Sequence, residues 1–336
     1  MLIVMKPYAT QAEIDRVVSV IVGQNLTPHV LPGATRTAIG LTGNTGTVDP
    51  SLFEVLPGVG EAIRVTKAYK LASREMKRDD TVVKTPFGPI GAGSFTVIAG
   101  PCSVETEAMI FQTAEFLKAN GVHFLRAGAF KPRSSPYAFQ GMGIEGLKIL
   151  AKARERYGVG IVTELMDTEY ASEVEEYADI IQIGTRNMQN FSLLKRVGKC
   201  RKPVLLKRGM SATLEEWLMA AEYIMAGGNY DVILCERGVR TFSDHSRNTL
   251  DLSVIPPVKA LSHLPILVDP SHGTGKRNYV PAMSYAALAA GADGLILEAH
   301  PDPDRAVSDG AQSLNFPGLQ ELLLKIRQLA PLFGRV

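Results

Sequence analysis

The chain has 336 residues, of which 46% are hydrophobic, enough to bury a sizeable core and to build one large domain plus a small one. Its 36 Lys+Arg against 34 Asp+Glu leave a net charge of +2, which excludes a broad basic footprint for nucleic acid and an attraction to anionic lipid. Basic residues therefore act locally.

At the N-terminus the apolar run of MLIVMKPYATQAEIDR is short, and Glu13 and Asp15 follow soon after. Neither a signal peptide nor a membrane span is expected, and a cytoplasmic location is the default. Residues 2–67 then follow a β-α-β-β-α-β rhythm that predicts a ferredoxin-like module. Its first helix is marked by a capping-box pattern, Thr10 with Glu13, and by Ile14, Val17, Val18 and Ile21 at the spacing of one buried face. A shorter second helix has Asp49 as cap, Pro50 in its first turn and Leu52, Phe53 and Leu56 as its stripe. Residues 69–94 are charged and Gly-rich, and TVVKTPFGPIG is compatible with a hairpin, so the domain boundary is placed here: 1–68, a linker over 69–94, and 95–336.

From Phe95 onward eight strand-like runs alternate with helical segments: FTVIAG, HFLRAGAF, GIVTEL, IIQIG, PVLLKRG, VILCERG, PILVDP and GLILEA. Repeated strand-plus-helix units of this number predict a closed parallel (β/α)8 TIM barrel behind the α+β domain. An open doubly wound sheet is the alternative, but no Gly-x-Gly-x-x-Gly follows the first run.

Barrel enzymes carry their reacting groups at the carboxyl ends of the strands. In order, those ends hold Cys102; Arg126, Lys131 and Arg133; Glu164; Arg186; Lys207; Glu236 and Arg237; Asp269 and His272; and Glu298. Cations gathered at one mouth repel one another and expect multiply anionic ligands such as phosphates and carboxylates. Cys102, His272 and Glu298, with Asp309 in the loop after the last strand, supply a thiolate, an imidazole and two carboxylates, a set that suits a transition-metal dication. The competing reading of Cys102 is a small buried side chain, and Cys200 and Cys235 keep that reading. Three cysteines so far apart do not form a disulfide framework. HGTGKR lacks the full phosphate-loop pattern. Lys195, Arg196 and Lys199 belong to a solvated helix and loop, His300 to a loop, and His29, His123, His245 and His263 show no partner pattern.

AGPCSVE, RAGAFKPRSSPYAFQG, IQIGTRN, PVLLKRG, ILCERGVRTF, LVDPSHGTGKR and ILEAHPDPDRAVSDGAQSL, spread across the whole barrel, resemble 3-deoxy-D-arabino-heptulosonate 7-phosphate (DAHP) synthases, in particular the short bacterial and archaeal subtype. That subtype is related to 3-deoxy-D-manno-octulosonate 8-phosphate synthase, whose members usually carry a KANRS-like segment where this chain has KPRSS; Pro132 favours erythrose 4-phosphate as acceptor. The resemblance implies that Cys102, His272, Glu298 and Asp309 bind the metal, manganese first, with iron, cobalt or zinc also accepted. It implies that Arg126, Lys131, Arg186, Lys207 and Arg237 hold phosphoenolpyruvate, and that Arg133 and Ser134 hold the aldose phosphate. Lys131 is then the proton donor to the new hydroxyl, with Glu164 or His272 assisting water. It also implies a homotetramer and an N-terminal domain that binds an aromatic amino acid as feedback inhibitor in the first step of the shikimate pathway. A Schiff-base aldolase using Lys207 and a noncatalytic metabolite sensor are the other readings.

Overall fold

The opening apolar run becomes β1 (Leu2–Met5), followed by α1 (Gln11–Gly23), β2 (Thr27–Pro32), β3 (Thr37–Thr42), α2 (Ser51–Glu54) and β4 (Val59–Ile63). The computed structural model describes residues 1–336 except 34, 45, 65–67, 92, 132–136 and 138. The four strands form an antiparallel sheet in the order β2-β3-β1-β4, the ferredoxin-like arrangement. Thr10 and Glu13 start α1 as a reciprocal cap: the Thr10 hydroxyl accepts from Glu13 N (3.3 Å) and Glu13 Oε2 accepts from Thr10 N (2.7 Å). Ile14, Val17 and Ile21 then bury against Ile3, Met5, Ile39, Leu41 and Phe53 on one sheet face. On the other face a Cβ at Gly40 would lie 2.5 Å from Met76 Cε, so a larger residue there would push the Met76 side chain aside.

This unit comprises Met1–Asp80 together with Lys259–His263. Arg74 N donates to Leu261 O (2.9 Å), and His263 Nε2 lies 2.7 Å from Leu71 O. His29 and His263, which show no partner pattern in the sequence, are both buried and bonded; His29 Nε2 reaches Thr42 Oγ1 at 2.7 Å. Sequence pattern does not reveal these bonds, because the partners lie on other strands and loops. Burial, opposed in part by the Leu71 carbonyl, pulls the His263 imidazole down to about 4 from an ordinary 6.5. Between those values the unfolded chain binds more protons than the folded one, so stability rises with pH across the window and is lost as pH falls through it. Going from pH 7 to pH 5 should therefore cost this unit roughly 2 kcal/mol through His263. Urea denaturation of wild type and His263→Phe at both pH values checks it; equal losses in the two proteins would reject the assignment.

The second unit, Thr81–Val258 with Leu264–Val336, opens with a hairpin of β5 (Val83–Thr85) and β6 (Gly88–Ile90). The alternating elements are then β7 (Thr96–Gly100), α3 (Glu107–Ala119), β8 (Phe124–Arg126), α4 (Gly143–Tyr157), β9 (Gly160–Glu164), α5 (Ala171–Tyr177), β10 (Ile180–Ile183) and α6 (Phe191–Val197). They continue as β11 (Val204–Lys207), α7 (Leu214–Ala226), β12 (Val232–Glu236), α8 (Ile255–Leu261), β13 (Ile266–Val268), α9 (Pro270–Thr274), α10 (Val280–Ala289), β14 (Gly294–Glu298) and α11 (Phe316–Leu329). Strands β7 to β14 close into a parallel barrel, with β14 paired to β7 in the register Ile296↔Ile98. Each strand contributes to one interior cluster, Ile98, Phe124, Val162, Ile180, Leu205, Ile233, Leu267 and Ile296. Val83 and Ile90 of the hairpin join that cluster, with Phe87 packed on it. The hairpin thus closes the amino-terminal end of the barrel and leaves the carboxyl end for chemistry. Among the described residues no helix is long and apolar enough to cross a membrane.

One run is shorter than its apolar pattern predicts. HFLRAGAF is strand only over Phe124–Arg126, because the next residues bond to the loop after β7: Gly128 N donates to Cys102 O (3.2 Å) and Val104 N to Gly128 O (3.0 Å). That stitch brings Lys131 over Cys102.

Candidate active site

Four segments meet at the carboxyl edge of β7, β8, β13 and β14. The Cys102 thiol donates to Asp309 Oδ2 (3.1 Å), lies 3.0 Å from Ser308 Oγ and accepts from Lys131 Nζ (3.0 Å), which also donates to Cys102 O (2.8 Å). Glu298, fully buried, takes Arg126 Nη1 on Oε1 (2.6 Å) and Gln312 Nε2 on Oε2 (2.7 Å). One ligand atom each from Cys102, Glu298 and Asp309 lies within 4.8 Å of the others. His272 stands beside them, its Nε2 3.4 Å from Glu298 Oε1. Its Nδ1 is 2.7 Å from Asp269 Oδ2, and Asp269 Oδ1 accepts the His272 backbone N–H at 2.9 Å. A carboxylate on Nδ1 fixes the ring and turns Nε2 towards the cluster, the usual way an imidazole is held for a metal. Asp269 is in turn paired with Lys207 Nζ at 2.5 Å.

The charges fit a dication. Burial and the neighbouring Glu298 push the Cys102 thiol up to about 12. Burial also works to raise Asp309, Glu298 and Asp269, yet the Cys102 hydrogen bond and nearby cations hold Asp309 down at about 2, the charges of His272 and Arg126 keep Glu298 below its ordinary value, and His272 and Lys207 hold Asp269 well below its own. Two ionised carboxylates and a thiol that needs positive charge to lose its proton form a donor set that a divalent cation completes. Asp309 also has φ 54, a left-handed conformation that costs a non-glycine residue energy, the sort of strain found where a side chain must be aimed.

Beside the cluster lies one cavity lined by Arg126, Lys131, Glu164, Arg186, Lys207, Arg237, His272 and Asp309. Arg237 Nε and Nη1, Arg126 Nε and Thr185 Oγ1 are buried without a hydrogen-bond partner among the described residues. Burial, only partly opposed by Asp269, pulls the Arg237 guanidinium below its ordinary value. An anion in the cavity would relieve both penalties. Glu164 enters from β9 and accepts from Gln182 Nε2 (3.3 Å). A Cβ at Gly184 would lie 1.9 Å from Glu164 Oε1, so this glycine makes room for the carboxylate. Arg133 and Ser134 lie outside the described residues.

Sequence reasoning missed several residues of this mouth. Arg240, Arg247 and Asn248 line the cavity from the loop after β12, too far beyond the strand end for a rule that inspects only the residues directly following a strand. Gln312 was inside a quoted motif, but nothing in its spacing marked a role. Cys200 and Cys235 are buried apart from the cluster, Cys200 beside Arg196 Nη1 (3.0 Å) and Cys235 within β12.

Residues 81–333 match the DAHP synthetase I family, and residues 1–67 match the DAHP synthase ferredoxin-like domain. The chain is 50% identical over 334 residues to a phospho-2-dehydro-3-deoxyheptonate aldolase of Thermotoga maritima, covering 99% of each. It is 32% identical over 259 residues to a 2-dehydro-3-deoxyphosphooctonate aldolase of Francisella tularensis, covering 71% of this chain and 93% of that protein. The crystal structure of the Thermotoga maritima phospho-2-dehydro-3-deoxyheptonate aldolase (DAHP synthase) is similar with a TM-score of 0.80 at 50% identity, over 99% of this chain and 98% of that one. A truncated form of 3-deoxy-D-arabino-heptulosonate 7-phosphate synthase from the same organism gives 0.76 at 51% identity, over 80% of this chain and 98% of that one.

Proposed function

The chain belongs to the DAHP synthetase I family, and from that membership we propose that the barrel mouth condenses phosphoenolpyruvate with D-erythrose 4-phosphate to give DAHP and inorganic phosphate, the first step of the shikimate pathway. The observation that carries the reading is one cavity where Arg126, Lys131, Arg186, Lys207 and Arg237 converge beside the Cys102, Glu298 and Asp309 cluster. Octulosonate synthases are distant relatives by comparison, and the KPRSS segment favours the four-carbon acceptor.

The family is generally metal-dependent. Cys102, His272, Glu298 and Asp309 would hold the ion, with Mn2+ our preferred identity and Fe2+, Co2+ or Zn2+ compatible with the same donors. A divalent ion held there supplies Lewis acidity towards the aldehyde oxygen of the acceptor. Arg237, Arg186 and Lys207 bind the phosphate and carboxylate of phosphoenolpyruvate, and Arg126 bridges that anion to Glu298. The vinyl carbon of phosphoenolpyruvate bonds to the aldehyde carbon, while Lys131 Nζ, close to Cys102, delivers a proton to the new hydroxyl. Water adds at C2 of the former phosphoenolpyruvate, assisted by Glu164 or His272, and the hemiketal phosphate loses inorganic phosphate with C–O cleavage. Arg133 and Ser134 take the acceptor phosphate. Lys207 is committed to its ion pair with Asp269, which disfavours a Schiff-base role.

The wider reading assigns residues 1–68 to a domain that binds an aromatic amino acid, 69–94 to its connection and 95–336 to catalysis, in a cytoplasmic homotetramer. The test is phosphate release from phosphoenolpyruvate, alone and with erythrose 4-phosphate or arabinose 5-phosphate, with and without tyrosine or phenylalanine. We expect release with erythrose 4-phosphate only, slowed by one of the two amino acids. Release without acceptor, or preference for the pentose, would reject the activity; insensitivity to both amino acids would reject only the regulatory part.

A further inference from the structure

Beyond β14 the chain does not leave the strand at once: Leu314 N donates to Glu298 O (2.9 Å) and His300 N to Leu314 O (2.9 Å), a parallel bridge between Ala299 and Leu314. This stitch holds Gln312, 2% exposed, against the Glu298 carboxylate. Gln312 Nε2 donates to Glu298 Oε2 (2.7 Å), and Gln312 Oε1 accepts from Arg247 Nη1 (2.9 Å). A guanidinium only donates and an ionised carboxylate only accepts, so these neighbours allow the amide a single orientation. Arg247 is itself anchored, its backbone N–H donating to Thr274 O (2.8 Å) and its Nη1 lying 3.3 Å from Asp309 Oδ1. The other oxygen of Glu298, Oε1, accepts from Arg126 Nη1 (2.6 Å) and faces His272 Nε2 at 3.4 Å.

We propose that Gln312 is a positioning residue for the metal site: it engages Oε2 of Glu298 and so fixes the orientation in which the carboxylate meets a divalent cation, and Arg247 locks the amide that does so. The inference rests on the metal reading of Cys102, His272, Glu298 and Asp309. A terminal carboxylate torsion is soft and nearly two-fold, so without the amide a buried Glu298 would turn to find a partner for its second oxygen. Groups that orient a ligand from behind typically govern metal affinity by ~10–100-fold.

The test is titration of Mn2+ alone into the chelator-stripped full chain, followed by electron paramagnetic resonance, for wild type and Gln312→Met, which keeps the length of the side chain but removes the amide. The expected result is a Kd for Mn2+ weaker by ~10–100-fold with an altered spectrum of the bound ion, in a variant whose circular dichroism shows a folded chain. A role in packing alone, which methionine preserves, would leave Kd and spectrum unchanged in the folded variant, and that result overturns the proposal. If Gln312→Met does not fold, Gln312→Asn, whose amide ends one methylene short, is expected to weaken Mn2+ binding in the same direction, and wild-type affinity in it also overturns the proposal. Failure of wild type to bind Mn2+ would instead remove the metal site and this inference with it, so the two failures are distinguishable.

Discussion

Replacing Cys102 with alanine should lower kcat/KM on the order of 10³-fold, because loss of a ligand forfeits the several kcal/mol that a Lewis-acidic ion contributes to the transition state and each 1.36 kcal/mol is tenfold. Cys102 sits where Lys131, Ser308 and Asp309 converge on its sulfur. No other thiol among the described residues lies near: Cys235 is inside β12 and Cys200 lies beyond α6. Removing one sulfur atom from a small side chain should leave the fold intact. Steady-state kinetics with elemental analysis of the bound metal, read alongside thermal melting, checks the outcome. Retention of more than a tenth of wild-type activity, with the metal still bound, would end the assignment of Cys102 as a ligand.

The second large effect is expected at Arg237, where function and stability should move in opposite directions. Its guanidinium is 7% exposed, and two of its nitrogens lack partners among the described residues. In the ligand-free protein that is a penalty, since a buried charge without full hydrogen bonding costs free energy. With phosphoenolpyruvate bound, the same atoms make charge-assisted bonds. Arg237→Met should therefore raise the KM for phosphoenolpyruvate by ~30–1000-fold, the equivalent of about 2–4 kcal/mol, within the range carried by a buried, hydrogen-bonded charge. The free enzyme should melt at the same temperature or a few degrees higher. Phosphoenolpyruvate should stabilise wild type by mass action and the variant hardly at all. An unchanged KM, or a ligand-free variant that melts well below wild type, would show that Arg237 serves the fold and not the substrate.

How much of this was legible in the sequence follows from the range of the interactions involved. Periodicity and capping are local, so α1, with its Thr10–Glu13 cap, and the eight strand runs could be read directly. Barrel closure places β14 against β7, which is why Cys102 and Glu298, far apart along the chain, could be expected at one edge. The rule that chemistry follows strand ends found Lys131, Arg186 and Arg237 for the same reason. It could not find Arg247 or Gln312, whose importance lies in a hydrogen bond between two loops. Nor could an apolar run reveal that β8 stops at Arg126, because the bonds ending it come from the loop around Cys102. His263 shows no pattern because its partner is the carbonyl of Leu71, far away along the chain.

The hairpin of β5 and β6 stoppers the foot of the barrel with Val83, Phe87 and Ile90, so among the described residues the cavity opens at the carboxyl end. Lys207 and Arg126 lie at its depth, 3% and 4% exposed, while Arg240 and Arg247 stand at the rim. A pocket of this depth favours filling from the floor upward. Ordered addition of the two substrates is therefore the expected kinetic pattern, and product-inhibition kinetics would check it.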